Sequence, residues 1–199
     1  MIAYIKGQIA ALSPAELILE NAGIGYQILI SLQTYEAIQD RKEATIYIHH
    51  YLREDEELFY GFATQEEREL FRLLISVSGI GVNSARMMLS TLTSEEIRQA
   101  IATGDVNRIK SVKGIGLKSA QRLVLELKDK VFKGDGDDAG LHAALFAGGA
   151  SSPSVEEATT ALTLLGFAKA NIAKVMPAAL KDAPSGKVED IIKAALKRL

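Results

Sequence analysis

Apolar residues along the chain follow two different periods. Up to residue 62 they alternate with polar residues or form short runs bounded by Gly, Pro and Asn, which is typical of β-strands. Over 65–131 and 154–199 they recur every three or four residues, which indicates amphipathic helices. The stretch between these two regions is rich in Gly, Asp, Ser and Ala. The pattern predicts a β domain at 1–63, a helical domain at 64–133, a flexible linker at 134–153 and a helical domain at 154–199.

The first of these segments is expected to form a small closed barrel. Strands are predicted at 1–9, 16–20, 25–30, 44–52 and 58–62, with a short helix at 32–39. Five short strands with a helix between the third and fourth fit an OB-fold β-barrel. Gly7, inside the first predicted strand, is expected to mark a bend or bulge.

A short motif occurs twice in the helical segment. Val77-Ser78-Gly79-Ile80-Gly81 and Val112-Lys113-Gly114-Ile115-Gly116 each lie between two helical patterns, so each predicts a helix, a tight turn and a second helix. The glycines permit positive φ and close approach of another backbone. The unpaired amides at the start of the second helix would suit a phosphate oxygen, and such contacts carry no base information.

Two other interpretations of the Gly-Ile-Gly motif are weaker. A dinucleotide-binding fingerprint needs a preceding strand and a third glycine, whereas here a helix precedes and Ser84 or Ser119 stands third. A purely structural helical hairpin would be the default for one copy. Two copies, the second rich in Lys and Arg, favour phosphate binding and resemble the helix–hairpin–helix of DNA-binding proteins that do not read sequence.

Capping boxes are predicted where three helices begin, at Thr64–Glu67, Thr93–Glu96 and Ser154–Glu157. The last of these opens a predicted three-helix unit with helices at about 155–165, 170–176 and 187–199. Leu165-Gly166-Phe167 resembles the first turn of ubiquitin-associated domains. A domain of this type on a flexible tether is usually a docking module; the alternative is a bundle that packs back on the rest of the chain.

Charge is distributed unevenly. The formal net charge of the chain is −2, but residues 1–64 carry −5, residues 65–133 carry +4 and residues 134–199 carry −1. Positive charge therefore coincides with the two hairpins. The chain has no cysteine, which excludes disulfides and thiolate chemistry. With no signal-like N terminus and no long apolar run, a cytoplasmic protein without membrane contact is expected.

Four consecutive acidic residues follow Arg53 in the predicted turn between the last two strands: Glu54, Asp55, Glu56 and Glu57. A solvated turn is the simplest interpretation. A metal site would need further ligands, which the sequence does not supply nearby. Alternatively, the carboxylates repel DNA phosphates from one place and so select a DNA shape.

Enzymatic alternatives find little support in the sequence. There is no P-loop pattern, so ATP hydrolysis would have to come from a partner. A nuclease needs carboxylates gathered around metal ions, whereas the dense acidic cluster here, Glu54–Glu57, lies in a hairpin turn. A glycosylase needs a catalytic Asp or Lys soon after the hairpin, and Lys128-Asp129 lies too far along its helix. His49 and His50 should point to opposite faces of a strand, and with His142 they lack metal-ligand spacing. Tyr47 and Tyr51 are candidates for stacking bases of single-stranded DNA or for core residues.

The motifs together resemble the RuvA family of bacterial Holliday-junction-binding subunits. The resemblance covers essentially the whole chain, through the segments 1–7, 23–26, 53–55 and 60–62, both Gly-Ile-Gly hairpins, and Leu164-Leu165-Gly166-Phe167. It implies a homotetramer, with one or two tetramers on an open four-way junction. It also implies the RuvB hexameric ATPase and the RuvC resolvase as partners, no cofactor and no catalytic residues in this chain.

The resemblance assigns roles to individual positions. DNA binding falls on Gly79, Gly81, Asn83, Ser84, Gly114, Gly116, Lys118, Ser119 and Arg122. An acidic pin that helps to separate strands falls on Glu54 and Asp55. Motor binding is expected in the C-terminal domain, where Leu162, Leu165, Phe167, Leu196 and Leu199 are the candidate contacts, although the resemblance does not fix them individually. Asn83 and Leu117 stand where the family often has basic residues, and Arg86, Arg108 or Lys113 are candidates to compensate.

Overall fold

The computed structural model describes residues 1–128, 130–131, 153–183 and 185–199. They fall into two compact units, one within 1–135 and one within 136–199. The predicted linker lies outside the described residues except for Pro153, and so does His142.

A closed five-stranded barrel forms the first part of the N-terminal unit. Its strands are β1 (Tyr4–Ser13), β2 (Glu16–Asn21), β3 (Ile24–Ile30), β4 (Glu43–Leu52) and β5 (Glu57–Phe62). They pair in the order β1-β2-β3-β5-β4, with β4 closing on β1. Helix α1 (Leu32–Ile38) connects β3 to β4. Inward-facing Leu17, Leu19, Ile28, Ile46 and Ile48 fill the interior. The prediction of an OB-type barrel is confirmed.

The irregularity of the first strand lies at Ala10 and not at Gly7. Ile9 pairs with Leu19 and Ala11 with Ile18, so Ala10 is the extra residue of a bulge. Gly7 pairs regularly with Ala44 of β4. A Cβ at Gly7 would lie 2.1 Å from the carbonyl oxygen of Glu20, so glycine is required there by the close approach of β2. Of the two alternatives predicted for Gly7, a bend or a bulge, the bulge was wrong, because it lies at Ala10.

Five helices complete the described part of the N-terminal unit: α2 (Gln65–Ser76), α3 (Val82–Thr91), α4 (Ser94–Thr103), α5 (Val106–Lys110) and α6 (Leu117–Leu127). Their apolar faces form one core, which also contains Tyr60 and Phe62 of the barrel. The barrel and the helices are thus joined by shared apolar packing. Helix α6 ends at Leu127, about one turn before the predicted end near residue 131.

A buried polar network lies at this joint. Thr64 caps α2 as predicted, accepting the amide of Glu67, but the Glu67 carboxylate does not return to the Thr64 amide. Instead it accepts hydrogen bonds from the hydroxyls of Ser31 and Thr34 at 2.7 and 2.9 Å and from the amide of Ala63 at 3.1 Å. Burial raises the pKa of Glu67, against the effect of these hydrogen bonds. The carboxylate links α1, the end of β5 and α2.

The C-terminal unit contains α7 (Pro153–Leu164), α8 (Lys169–Asp182) and α9 (Val188–Leu196). Because α7 begins at Pro153, Ser154 lies inside its first turn and is not the predicted cap. Helix α8 continues past Pro177, where a stop was predicted, and buries Met176 and Ala179 on either side of it. Packing of this face outweighs the lost backbone hydrogen bond. Helix α9 ends three residues before Leu199.

Candidate nucleic-acid interface

The first Gly-Ile-Gly segment forms a tight turn between α2 and α3. The Ile80 amide donates to the carbonyl of Val77 at 3.0 Å, and Gly79 has φ +92°, a region that favours glycine. Ile80, between the two glycines, is buried in the core. Gly81 is the N-cap of α3, and its carbonyl accepts the amide of Ala85.

The second segment repeats this geometry between α5 and α6. The Ile115 amide donates to Val112 at 3.1 Å, and Gly114 has φ +90°. Ile115 is buried, and Gly116 is the N-cap of α6. The predicted tandem of helical hairpins is confirmed.

The two hairpins lie beside each other. A Cβ placed on Gly79 of the first hairpin would be 3.5 Å from the hydroxyl of Ser119 in the first turn of α6. The turn of the first hairpin therefore lies against the start of α6.

The two helices that follow the glycine turns differ from the others of this unit in their caps. Helices α1, α2, α4 and α5 begin at residues whose side-chain oxygens accept a first-turn amide: Ser31, Thr64, Thr93 and Asp105. Gly81 and Gly116 offer no side-chain acceptor to α3 and α6. The first-turn amides of these two helices are left to an outside acceptor, and the helix dipole favours an anion there.

The sequence-predicted DNA-binding residues gather around these helix starts. The four glycines are exposed in the turns, Asn83 and Lys118 are exposed in the first turns, and Ser84 and Ser119 are half-buried beside them. Arg122 lies one turn after Lys118 on the same face of α6 and donates to the Glu126 carboxylate at 2.6 Å.

Two of the three candidate compensating cations are engaged elsewhere. Arg86 donates to the carbonyl of Ala15 in the barrel, and Arg108 pairs with Glu96 at 2.7 Å. Lys113 is exposed in the second turn. Neither Lys113 nor Lys118 has a hydrogen bond or ion pair to any residue that the structure describes. The second hairpin therefore carries the available positive charge.

The acidic residues occupy the tip of the β4–β5 hairpin. The Arg53 amide donates to the carbonyl of Glu56 at 2.8 Å and closes the turn, with Glu54 and Asp55 exposed at its end. Glu57 lies 2.8 Å from Nε2 of His50. Among the described residues, Glu54 and Asp55 have no ion-pair partner, so both charges face solvent.

The histidines and tyrosines considered for catalysis or base stacking pack against neighbouring side chains. His49 contacts Phe71 on one side of β4, and His50 contacts Phe59 on the other, as the alternation predicted. Tyr47 and Tyr51 are half-buried against the helical core, so neither presents an open ring. Within the described ranges no three His, Asp or Glu side chains converge as metal ligands. Asp129 lies outside those ranges.

Burial and nearby cations keep His49 neutral. Its pKa is lowered from 6.5 to about 4, first by burial and then by the charges of Arg72, Arg68 and His50. His49 therefore behaves as a packing residue of the joint at neutral pH.

The five candidate docking residues of the C-terminal unit do not share one environment. Leu162 is fully buried in the core of the unit, so the expectation that it belongs to a contact surface is not supported. Phe167 is half-buried, whereas Leu165, Leu196 and Leu199 are exposed. Leu164, which is not among these five residues, is 62% exposed beside Leu165. None of the helices described in either unit has the length and apolarity needed to cross a bilayer.

Three family models match successive parts of the chain. Residues 1–61 match the RuvA N-terminal domain, residues 71–129 match the SAM-like helix-hairpin-helix tandem, and residues 153–199 match the RuvA C-terminal domain.

Full-length curated relatives carry the name Holliday junction branch migration complex subunit RuvA. The chain is 50% identical to those of Bacteroides fragilis, over 207 aligned residues, and Bacteroides thetaiotaomicron, over 201. It is 45% identical to that of Porphyromonas gingivalis over 202. In each case the alignment covers 100% of both chains.

Proposed function

The chain belongs to the RuvA family, and we propose that it binds four-way Holliday junction DNA as a non-catalytic subunit of a branch migration complex. The relatives are named for such a complex, and their similarity extends over the full length of this chain. The chain's own contribution is to hold the junction and to connect it to a motor.

The observation that carries this proposal is the pair of helix starts at Gly81 and Gly116, which lack side-chain caps. The turn before the first of them, at Gly79, lies against Ser119 in the first turn of α6. The amides of the two helix starts suit phosphate oxygens of two backbone stretches. Because phosphate contacts fix position and carry no base information, binding is independent of sequence. Lys113, Lys118 and Arg122 add charge around the second site.

Glu54 and Asp55 supply the preference for a junction over ordinary duplex. Carboxylates held on a projecting turn repel phosphates that come within about 8–10 Å, the screening length at physiological salt. An open junction leaves a gap between its arms where this charge is tolerated, whereas a continuous duplex does not. The pair thus selects DNA shape and biases the strands at the centre toward separation.

Docking of the motor is assigned to the C-terminal unit. Leu164, Leu165, Leu196 and Leu199 are exposed apolar residues on the described helices of the C-terminal unit, and a contiguous patch of such residues would mark an interaction site. We infer that they bind the hexameric ATPase RuvB, which supplies ATP hydrolysis. Assembly as a homotetramer on the junction, cooperation with the resolvase RuvC and a cytoplasmic location complete the proposal.

The test compares binding to a four-way junction and to linear duplex of the same sequence while salt is raised. We expect the junction to be preferred at every salt concentration, with saturation at four chains or a multiple of four. We expect Glu54→Gln with Asp55→Asn to raise duplex affinity and reduce the preference. Equal binding of both DNAs by a monomer would refute the proposal. Strand scission by the purified protein in Mg²⁺ would refute its non-catalytic part.

A further inference from the structure

A column of ring contacts connects the acidic turn to helix α2. The Arg53 guanidinium lies 5.0 Å from the centroid of the Tyr51 ring. Tyr51 meets Tyr60 edge-on at 6.2 Å, and Tyr60 stacks on Phe71 of α2 at 5.4 Å with an interplanar angle of 28°. Helix α2 leads directly into the turn of Gly79. The column therefore runs from the acidic turn to the element that carries the first phosphate-binding hairpin.

The opposite face of the β4–β5 hairpin is held by a second set of contacts. His50 lies opposite Phe59 in the strand register, with ring centroids 5.0 Å apart, and its Nε2 lies 2.8 Å from the Glu57 carboxylate. Because the two sets lie on opposite faces, the hairpin is restrained from bending in either direction.

The position of Arg53 is informative in itself. It precedes four acidic residues in the sequence, yet its guanidinium lies over Tyr51 and makes no ion pair with the side chains that the structure describes. The exposed charges of Glu54 and Asp55 are therefore not neutralised by the nearest cation along the chain.

We propose that Tyr51 is a positioning residue that holds the acidic turn at a fixed place relative to the first Gly-Ile-Gly hairpin and keeps Arg53 off its carboxylates. The inference rests on the proposed role of Glu54 and Asp55 in rejecting duplex DNA. Repulsion between charges in water falls off within about 10 Å, so a turn that swings by a few ångströms loses much of its effect. Selectivity for the junction then depends on an uncharged ring that need not touch DNA.

The first experiment compares Tyr51→Leu with Tyr51→Phe in the full-length protein, using the same junction and duplex as above. Neither substitution changes the charge of the protein. We expect Tyr51→Leu to raise the affinity for duplex by roughly two- to fivefold and to leave the affinity for the junction unchanged. This factor corresponds to the free energy of one exposed cation–π contact, which would no longer hold the turn in place. Tyr51→Phe keeps the ring and should behave as the unmodified protein. A folded Tyr51→Leu variant with unchanged selectivity would overturn the proposal.

A second measurement reports the position of the turn without DNA. The chain has no cysteine, so Glu56→Cys accepts a single nitroxide spin label. We expect the label to become more mobile when Tyr51→Leu or Arg53→Gln is added, with an unchanged thermal midpoint. If Tyr51→Leu fails to fold, the spectrum of the Arg53→Gln protein decides, and an equally immobile label there overturns the proposal. If Glu54→Gln with Asp55→Asn leaves duplex affinity unchanged, the role of the acidic pair is wrong, and with it the effect on selectivity.

Discussion

Replacing Gly116 by serine tests why α6 begins without a side-chain cap: because the fold requires glycine there, or because the free amides bind a ligand. Gly116 has φ −79° and ψ 163°, an extended conformation that serine adopts without strain. A Cβ at this position meets no atom within 4 Å. The fold therefore does not require glycine at residue 116, in contrast to Gly114, whose φ of +90° does.

The stability of the Gly116→Ser protein should rise. A serine N-cap is better than glycine by a few tenths of a kcal/mol, because its hydroxyl accepts a first-turn amide. Removing a glycine also restricts the unfolded chain, which is worth about 0.4–1 kcal/mol. Together these effects give about 1 kcal/mol, or a rise of roughly 3 °C in the thermal midpoint for a unit of this size.

The affinity for DNA should fall in the same protein. The new hydroxyl occupies the amide that the phosphate would use, and the side chain obstructs the approach of the backbone. One hydrogen bond to a charged group is worth about 1.5–3 kcal/mol. The expected loss is at least about tenfold in the dissociation constant, since 1.4 kcal/mol corresponds to a factor of ten.

The assay pairs thermal unfolding with fluorescence anisotropy on a labelled four-way junction. Ala168→Ser is the matched control, because it adds the same cap to α8 of the C-terminal unit, which also lacks one; it should leave junction binding unchanged. If Gly116→Ser binds as tightly as the unmodified protein, the amides of α6 do not hold phosphate. A variant that loses both stability and binding would refute the reasoning about space at residue 116.

Three further outcomes are expected. Lys113→Ala and Lys118→Ala should each weaken binding to every junction sequence alike and lower the slope of log affinity against log salt by about 0.9 per lost phosphate contact; a sequence-dependent loss would contradict this. Because the folded pKa of His49 is about 4, against 6.5 ordinarily, its contribution to stability is complete above pH 6.5 and is lost as pH falls toward 4. The free energy of unfolding, measured in urea across this range, should depend less steeply on pH in His49→Gln than in the unmodified protein. An identical pH dependence of the two proteins would refute this prediction. Leu165→Ser with Leu199→Ser should abolish binding of RuvB, measured by co-sedimentation, while junction binding persists; retained RuvB binding would exclude this surface.

The architecture could be predicted because its signals are local. The repeated Gly-Ile-Gly turn requires a positive φ at its first glycine, and the period of apolar residues identifies the faces that pack. These features depend on residues within one or two turns of each other, so the sequence alone contains them.

Other features depend on partners that are distant in sequence. Arg86 was a candidate DNA contact, but its partner is the Ala15 carbonyl, 71 positions away. Glu67 fits a capping-box pattern, yet its carboxylate accepts hydrogen bonds from the hydroxyls of Ser31 and Thr34 at the start of α1. Leu162 and Leu165 follow one apolar pattern, but only the packing of three helices decides that the first is buried and the second exposed. In each case tertiary contacts override a correct local pattern.

The polar joint gives this unit a fixed geometry that apolar packing alone would not specify. Apolar contacts between the barrel and α2 permit sliding, whereas the hydrogen bonds of Glu67 have definite directions and tie α1, β5 and α2 together. Arg68 adds a bond from α2 to the carbonyl of Ala3 in the barrel at 3.0 Å. The burial that raises the pKa of Glu67 is a cost to the fold. The hydrogen bonds to Glu67 offset part of that cost, and they help to fix the distance between the acidic turn and the glycine hairpins, on which the proposed rejection of duplex DNA depends.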